Sequence, residues 1–226
     1  MSKKGFTLAE ILITLTVIGV VAALTIPTLL QNTNQAEFKT ALKRDFADLS
    51  QATLLIKNDA GGSLVNAFPG DNLGSESLKN AYKGKLSYIK ECSGNAGNGG
   101  SGTGVSAEGC WHSNGAWKEL NGNTIFAIGC PGLVLSNGTL IYYNNLSSAC
   151  SAQVSDYMSC GFMELDVNGF KKPNVKGKDI FSVFLTDQGL IPFGARGFLD
   201  PSGDCNLSNT MGTNTGSGCT ALYLYQ

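Results

Sequence analysis

Between Ile11 and Ala36 the chain carries no charged side chain, yet the residue just before that run is a carboxylate, Glu10. A helix rises about 1.5 Å per residue, so such a run covers the roughly 30 Å hydrocarbon core of a bilayer. This end of the chain must therefore meet lipid or something equally apolar. Lys3 and Lys4 precede the run, and acidic residues dilute the basic ones that follow it. That asymmetry predicts a cytoplasmic N-terminus. A cleaved secretory signal fits poorly: the basic region is tiny, the apolar run is long, and no A-x-A step follows. A plain signal anchor accounts for everything except Glu10. An acid in a membrane helix costs up to about 3 kcal/mol at mid-depth and needs a use.

Cleavage between Gly5 and Phe6 would supply that use. Phe6 would then carry a new cationic α-amine, four residues from Glu10 and on the same helical face. The two charges can pair within a chain or between stacked neighbours, which fixes axial register in a water-free assembly. A carboxylate in the first turn also complements the helix dipole.

Lys4-Gly5-Phe6-Thr7-Leu8-Ala9-Glu10, followed by Ile-Leu-Ile-Thr-Leu-Thr-Val-Ile-Gly-Val, resembles the prepilin-type signal of type IV pilins and type II secretion pseudopilins. The resemblance implies cleavage after Gly5 by a membrane-embedded prepilin peptidase, which also N-methylates Phe6. It gives Glu10 a role in subunit incorporation and matches a helix-bending proline with Pro27. It implies as partners the peptidase, sister subunits and an inner-membrane assembly platform with its ATPase.

Beyond the apolar run, Phe38, Leu42, Phe46, Leu49, Thr53 and Ile56 recur at helical spacing, with Lys39, Lys43, Arg44, Asp48 and Gln51 largely off that stripe. Asn58–Ser63 then supplies turn formers. One helix from about Thr7 to Lys57 is expected, kinked or locally melted at Pro27 because proline lacks the backbone donor. The organisation read from sequence is a leader over 1–5, a transmembrane and polymerisation helix over 6–30, an amphipathic half over 31–58, and an extracytoplasmic head over 59–226.

The head is rich in Gly, Asn, Ser and Thr. A short helix is expected near Leu78–Tyr82 and a loop over 93–104. Strands are expected at Asn123–Ile128, Leu133–Tyr143 (a hairpin about Asn137-Gly138), Met163–Val167, Asp179–Thr186, Leu190–Phe193 and Ala221–Tyr225. The fold class is α+β: a long N-terminal helix packed on a small antiparallel sheet with disulfide-stapled loops, in the pilin pattern.

All 7 cysteines lie in this part and no pair is spaced C-x-x-C, which favours disulfides in an oxidising compartment over zinc or thioredoxin-type chemistry. The sequence does not fix the pairing. Short-range closures Cys150–Cys160 and Cys205–Cys219 are favoured on loop entropy, Cys92–Cys110 would staple the Gly-rich loop, and Cys130 is left over.

A single histidine, His112, leaves no partner for a triad or a multi-histidine metal site. No enzyme is expected. Asp166, Asn168 and Gly169 resemble the start of a calcium loop, with Asp179 as a second carboxylate, although the full EF-hand pattern is not met. Major pseudopilins of type II secretion resemble this in carrying calcium in a carboxy-terminal loop; the competing reading is an Asn-Gly turn with an exposed acid. Lys171, Lys172, Lys176 and Lys178 form a basic cluster that could touch DNA, but without interleaved aromatics a solvated loop is favoured. Three functions follow: a filament subunit of a pilus or secretion pseudopilus; a minor subunit acting as adhesin, receptor or DNA-uptake factor toward a host surface, DNA or a secreted substrate; and, least favoured, a membrane-anchored extracytoplasmic enzyme.

Overall fold

The computed structural model describes residues 5–69, 75–92, 117–125, 131–195, 205–206 and 214–225. The chain divides into two units, Met1–Glu37 and Phe38–Gln226, and helix α1 (Leu8–Asp59) contributes to both. The helix continues through Pro27 rather than melting there. Pro27 offers no N–H to the carbonyl one turn before it. Just upstream, the Thr25 hydroxyl donates to the Val21 carbonyl at 2.9 Å. Thr14, Thr16 and Thr33 fold back in the same way onto carbonyls three or four residues earlier, so these hydroxyls are hydrogen-bonded within the helix itself.

Helix α1 ends where the turn formers begin. Gly62 donates to the Lys57 carbonyl at 2.8 Å and Gly61 to Asn58 at 3.1 Å, with Gly61 at φ 82°. This pair of bonds satisfies carbonyls that the helix end leaves open, and it needs a residue that tolerates positive φ.

In the second unit a six-stranded antiparallel sheet runs in the order β1 (Tyr88–Cys92), β4 (Gly132–Leu135), β5 (Leu140–Asn145), β8 (Gly161–Asp166), β9 (Ile180–Thr186), β10 (Gly189–Pro192). Helix α2 (Ser75–Lys83) precedes β1, and two small ribbons, β2–β3 (Trp117–Lys118, Thr124–Ile125) and β6–β7 (Ala152–Val154, Tyr157–Ser159), branch from the sheet's connections. Alternation along the strands sorts two faces. Leu133, Leu135, Ile141, Tyr143, Met163, Leu165, Phe181, Val183 and Leu185 join Phe38, Leu42, Leu49, Ala52 and Ile56 of α1 in the main core. Thr53 reaches the Tyr82 hydroxyl at 2.5 Å and so ties α1 to α2 inside it. The opposite face is covered as well: Val134, Leu140 and Tyr142 cluster with Cys92, Trp117 and Phe162. Tyr142 and Tyr143 thus pack the two sides of one strand.

The β4–β5 hairpin turns at Asn137-Gly138 as expected, and Gly138 alone in the turn takes positive φ, 93°. Leu135 donates to Thr139 and Gly138 donates to Leu135, the three-residue arrangement closed by a glycine bulge. The expected C-terminal strand is instead helix α3, Cys219–Tyr225. Its Tyr223 packs edge-on against Phe181 at 5.6 Å, and Thr220 accepts the Ser182 N–H at 3.1 Å. That N–H lies just past the point where β10 stops pairing with β9 at Pro192–Val183. The segment therefore closes a sheet edge by capping it with a side chain rather than by adding a strand. Of the expected strand Asn123–Ile128, Thr124–Ile125 is strand; residues beyond it, the 93–104 loop, Cys110, His112 and Cys130 lie outside the described residues.

Cys150 is bonded to Cys160, and Cys205 to Cys219. Cys92 is also disulfide-bonded, to a residue outside those described. The Cys150–Cys160 bond closes the neck of the β6–β7 ribbon. Behind it, Leu146 and Ser147 both donate to the Cys160 carbonyl, at 2.8 and 2.9 Å. The sheet leaves no room for a side chain at that neck: a Cβ on Gly161 would lie 2.3 Å from the Asn144 carbonyl oxygen.

Candidate functional site

Gly5, Phe6 and Thr7 precede the first helical residue, Leu8, and are exposed; Phe6 is 85% exposed. Thr7 and Glu10 form a reciprocal cap. The Thr7 N–H and the Thr7 hydroxyl both donate to Glu10 Oε2 at 2.8 Å, and the Glu10 N–H donates to Thr7 Oγ1 at 3.3 Å. Threonine followed three residues later by glutamate just before an apolar run is a sequence signature of this cap. The sequence thus carries the signal for the cap, although the charge of Glu10 by itself points to an amine and not to Thr7. In the uncut chain Phe6 contributes an amide, so the carboxylate is engaged by the residue next to it. Both bonds from Thr7 fall on one carboxylate oxygen.

Downstream, Leu8–Pro27 is a helix long and apolar enough to cross a membrane, and its large apolar side chains are exposed throughout. An isolated helix of this composition in water would leave that surface unpaired.

The calcium candidates fall together at the β8–β9 connection. Asp166 ends β8 and is fully buried, and its ladder partner is Ile180, next to Asp179. The Asp179 carboxylate accepts the Asn174 N–H and the Val175 N–H, each at 2.7 Å, and touches the Asn168 side chain. Burial pushes the Asp179 carboxyl up, against the pull of these donors. Asn168 Nδ2 donates to the Lys172 carbonyl at 3.1 Å. The Oδ1 atoms of Asn168 and of Asn174 are buried with no hydrogen-bond partner. No trio of His, Cys, Asp or Glu gathers into a metal-binding group among the described residues. The ligands on offer are thus mixed carboxylate and amide oxygens, the hard donor set that suits calcium or magnesium. Pro173-Asn174 reads from sequence as a second turn beside Asn168-Gly169, and Asn174 does sit at φ 56° directly after Pro173, with its side chain turned into the protein.

The lysines nearby do not form one patch. Lys176 Nζ lies 2.6 Å from the buried Glu164, whose Oε1 also accepts from Ser182 at 3.2 Å, while Lys171 and Lys172 are exposed.

The first 26 residues match the family model described as the prokaryotic N-terminal methylation motif. No curated protein and no solved structure matches the chain. Motif, apolar helix and disulfide-bonded antiparallel head together fit a type IV pilin-like protein of α+β fold. Within that class the motif points to a membrane-anchored structural subunit of pilin or pseudopilin type.

Proposed function

We propose that the chain is a filament-forming subunit. It inserts with its N-terminus in the cytoplasm and its head outside. Prepilin peptidase removes residues 1–5 and methylates Phe6, and an inner-membrane platform moves the subunit into a type IV pilus or a secretion pseudopilus. The observation that carries this reading is the match of residues 1–26 to the methylation motif, together with a helix, Leu8–Pro27, whose large apolar side chains are exposed. In a polymer that helix exchanges lipid for sister helices of equal polarity, so the transfer carries little solvation penalty.

The cap gives the carboxylate two states. Before assembly Glu10 is held by Thr7. Cleavage leaves a cationic amine one residue from Thr7. A neighbouring subunit's amine then offers a charge-assisted bond in place of the neutral ones. Intact-mass and N-terminal analysis of membrane material tests the reading: the chain should begin at methylated Phe6, and a chain that retains residues 1–5 overturns it. A minor tip, adhesin or DNA-uptake role predicts the subunit at low abundance alongside another pilin, whereas filaments made of this protein alone favour the major role.

A second reading concerns the β8–β9 connection. Asp166, Asn168 and Asp179 fit a divalent cation of calcium type, and the buried Oδ1 atoms of Asn168 and Asn174 support it. A bound ion would offset the buried negative charge there. The expected result is a melting temperature raised by calcium and lowered by chelator, and indifferent to both in Asp166→Ala. An unchanged wild-type value removes the cation and leaves Asp179 as the brace of its turn.

A further inference from the structure

One acid stands in the middle of the apolar stripe of α1. Asp45 is fully buried among Leu42, Phe46 and Leu49. Its Oδ1 accepts from Arg44 Nε at 3.0 Å and from Asn137 Nδ2 at 2.9 Å, and its Oδ2 accepts from the Thr139 hydroxyl at 2.6 Å. Asn137 in turn accepts the Thr139 N–H at 3.0 Å. The two side chains that flank Gly138 in the β4–β5 turn are thus both committed to one carboxylate on the helix.

Burying a carboxylate is costly, and an apolar residue of similar size would often be as stable or more so. What the acid adds is position. Phe38, Leu42, Phe46, Leu49, Thr53 and Ile56 repeat every three or four residues. Sliding α1 by one turn, about 5.4 Å, would bring one of these groups to the level of another and keep most of the apolar burial. It would also place Ala41 or Leu49 opposite Asn137 and Thr139, strand those donors, and leave Asp45 with Arg44, its neighbour on the same helix, as its remaining partner. Leaving buried polar groups without their hydrogen bonds costs the desolvation penalty of each group. Further along the helix, the slide would also part the buried Thr53–Tyr82 hydroxyl pair, a second and smaller polar tie, whereas the Lys57 ammonium, which donates to the Asp187 carbonyl at 2.5 Å, has a long flexible stem that could follow.

We infer that Asp45 is a register lock, a positioning residue that selects one axial setting of α1 against the sheet through Asn137 and Thr139. The lock stands on the geometry of the second unit alone. Its value to a subunit drawn by its helix into a filament rests on the proposed function.

The test is amide hydrogen exchange on the full chain in detergent micelles, without assembly. Replacing both partners by apolar groups, Asp45→Leu with Thr139→Val, removes the lock without leaving that pair half-satisfied. The expected result is a melting temperature within about 4 °C of wild type, with peptides from 38–56 exchanging as two populations. A single population with wild-type protection overturns the lock. Should that variant fail to fold, Asp45→Ala with Thr139→Val, which leaves no acceptor at 45, carries the test: two populations are again expected, and one overturns it. Because no filament is involved, failure here leaves the assembly reading untouched, and an uncleaved N-terminus leaves the lock untouched.

Discussion

The start of α1 and its stretch Phe38–Ile56 share a backbone conformation and differ in every other respect. In the first, Leu15 is 60% exposed and Ile18 64%. In the second, Leu42 and Leu49 are fully buried. The first is apolar all round; the second is apolar on one face and charged on the rest. A helix of the first kind leaves its apolar surface to be covered by lipid or another apolar partner, and one of the second kind carries its partner along. The placement of acids follows the same division. Glu10 is held by a single neighbouring residue in an exposed cap, whereas Asp45 is held by three side chains, two of them from the β4–β5 turn. The first arrangement can be exchanged for another; the second is fixed by partners that the fold itself supplies.

The sharpest way to break the comparison is at the leader. Gly5→Val is expected to abolish cleavage, so that mass spectrometry of membrane material finds residues 1–5 retained and no filaments form. Next comes burial. Leu42→Ala or Leu49→Ala should destabilise the head by about 2–5 kcal/mol in denaturant melts, while Leu15→Ala should leave the melt unchanged within about 0.5 kcal/mol. Equal losses from both halves would mean the first half has a partner inside its own chain. Glu10→Ala should be processed normally and should reduce filament yield by about tenfold or more, the equivalent of a single charge-assisted bond of about 1.4 kcal/mol. Normal assembly of that variant removes the role given to the carboxylate.

The smallest expected effect is a pH slope. Asp187 accepts the Leu64 N–H at 2.6 Å and the Ser63 hydroxyl at 2.9 Å, and these bonds, the backbone one foremost, hold its carboxyl below the ordinary 3.8. Its contribution is present above that ordinary value and is lost as the pH falls through the lowered folded value. Burial gives Asp179 the opposite sign: in the absence of a cation its contribution is greatest below 3.8 and is lost as the pH rises through its raised value. Asp187→Asn should therefore flatten the acid-side loss of melting temperature, and Asp179→Asn should steepen it.

Period and turn chemistry made much of this molecule readable. The stripe from Phe38 to Ile56, the Asn137-Gly138 hairpin and the strands at 161–166 and 180–186 follow from side-chain alternation and from a glycine where positive φ is needed. The C-terminal Ala221–Tyr225 read as a strand because Tyr and Leu favour strands. Packing of Tyr223 on Phe181 and the Cys219 bond made it a helix, a tertiary override of a short, weak propensity. The β6–β7 ribbon went unread because its strands are only three residues long. At the N-terminus the motif is plain, and the Thr7–Glu10 spacing is that of a capping pair, but the charge of Glu10 alone does not reveal that the donor three residues before it is its partner. Asp45, and the burial of Asn174 in its turn, are illegible for a different reason. Their surroundings are brought to them by the fold, and nothing in local spacing marks a polar residue as buried.

The closed neck at Cys150–Cys160 has a practical consequence. Whatever lies between those two residues is tethered at its base by a covalent bond and contributes three residues to each of two short strands. The tip at Ser155-Asp156 is exposed. A foreign peptide spliced in there would hang from a sealed loop, leaving sheet and helix undisturbed.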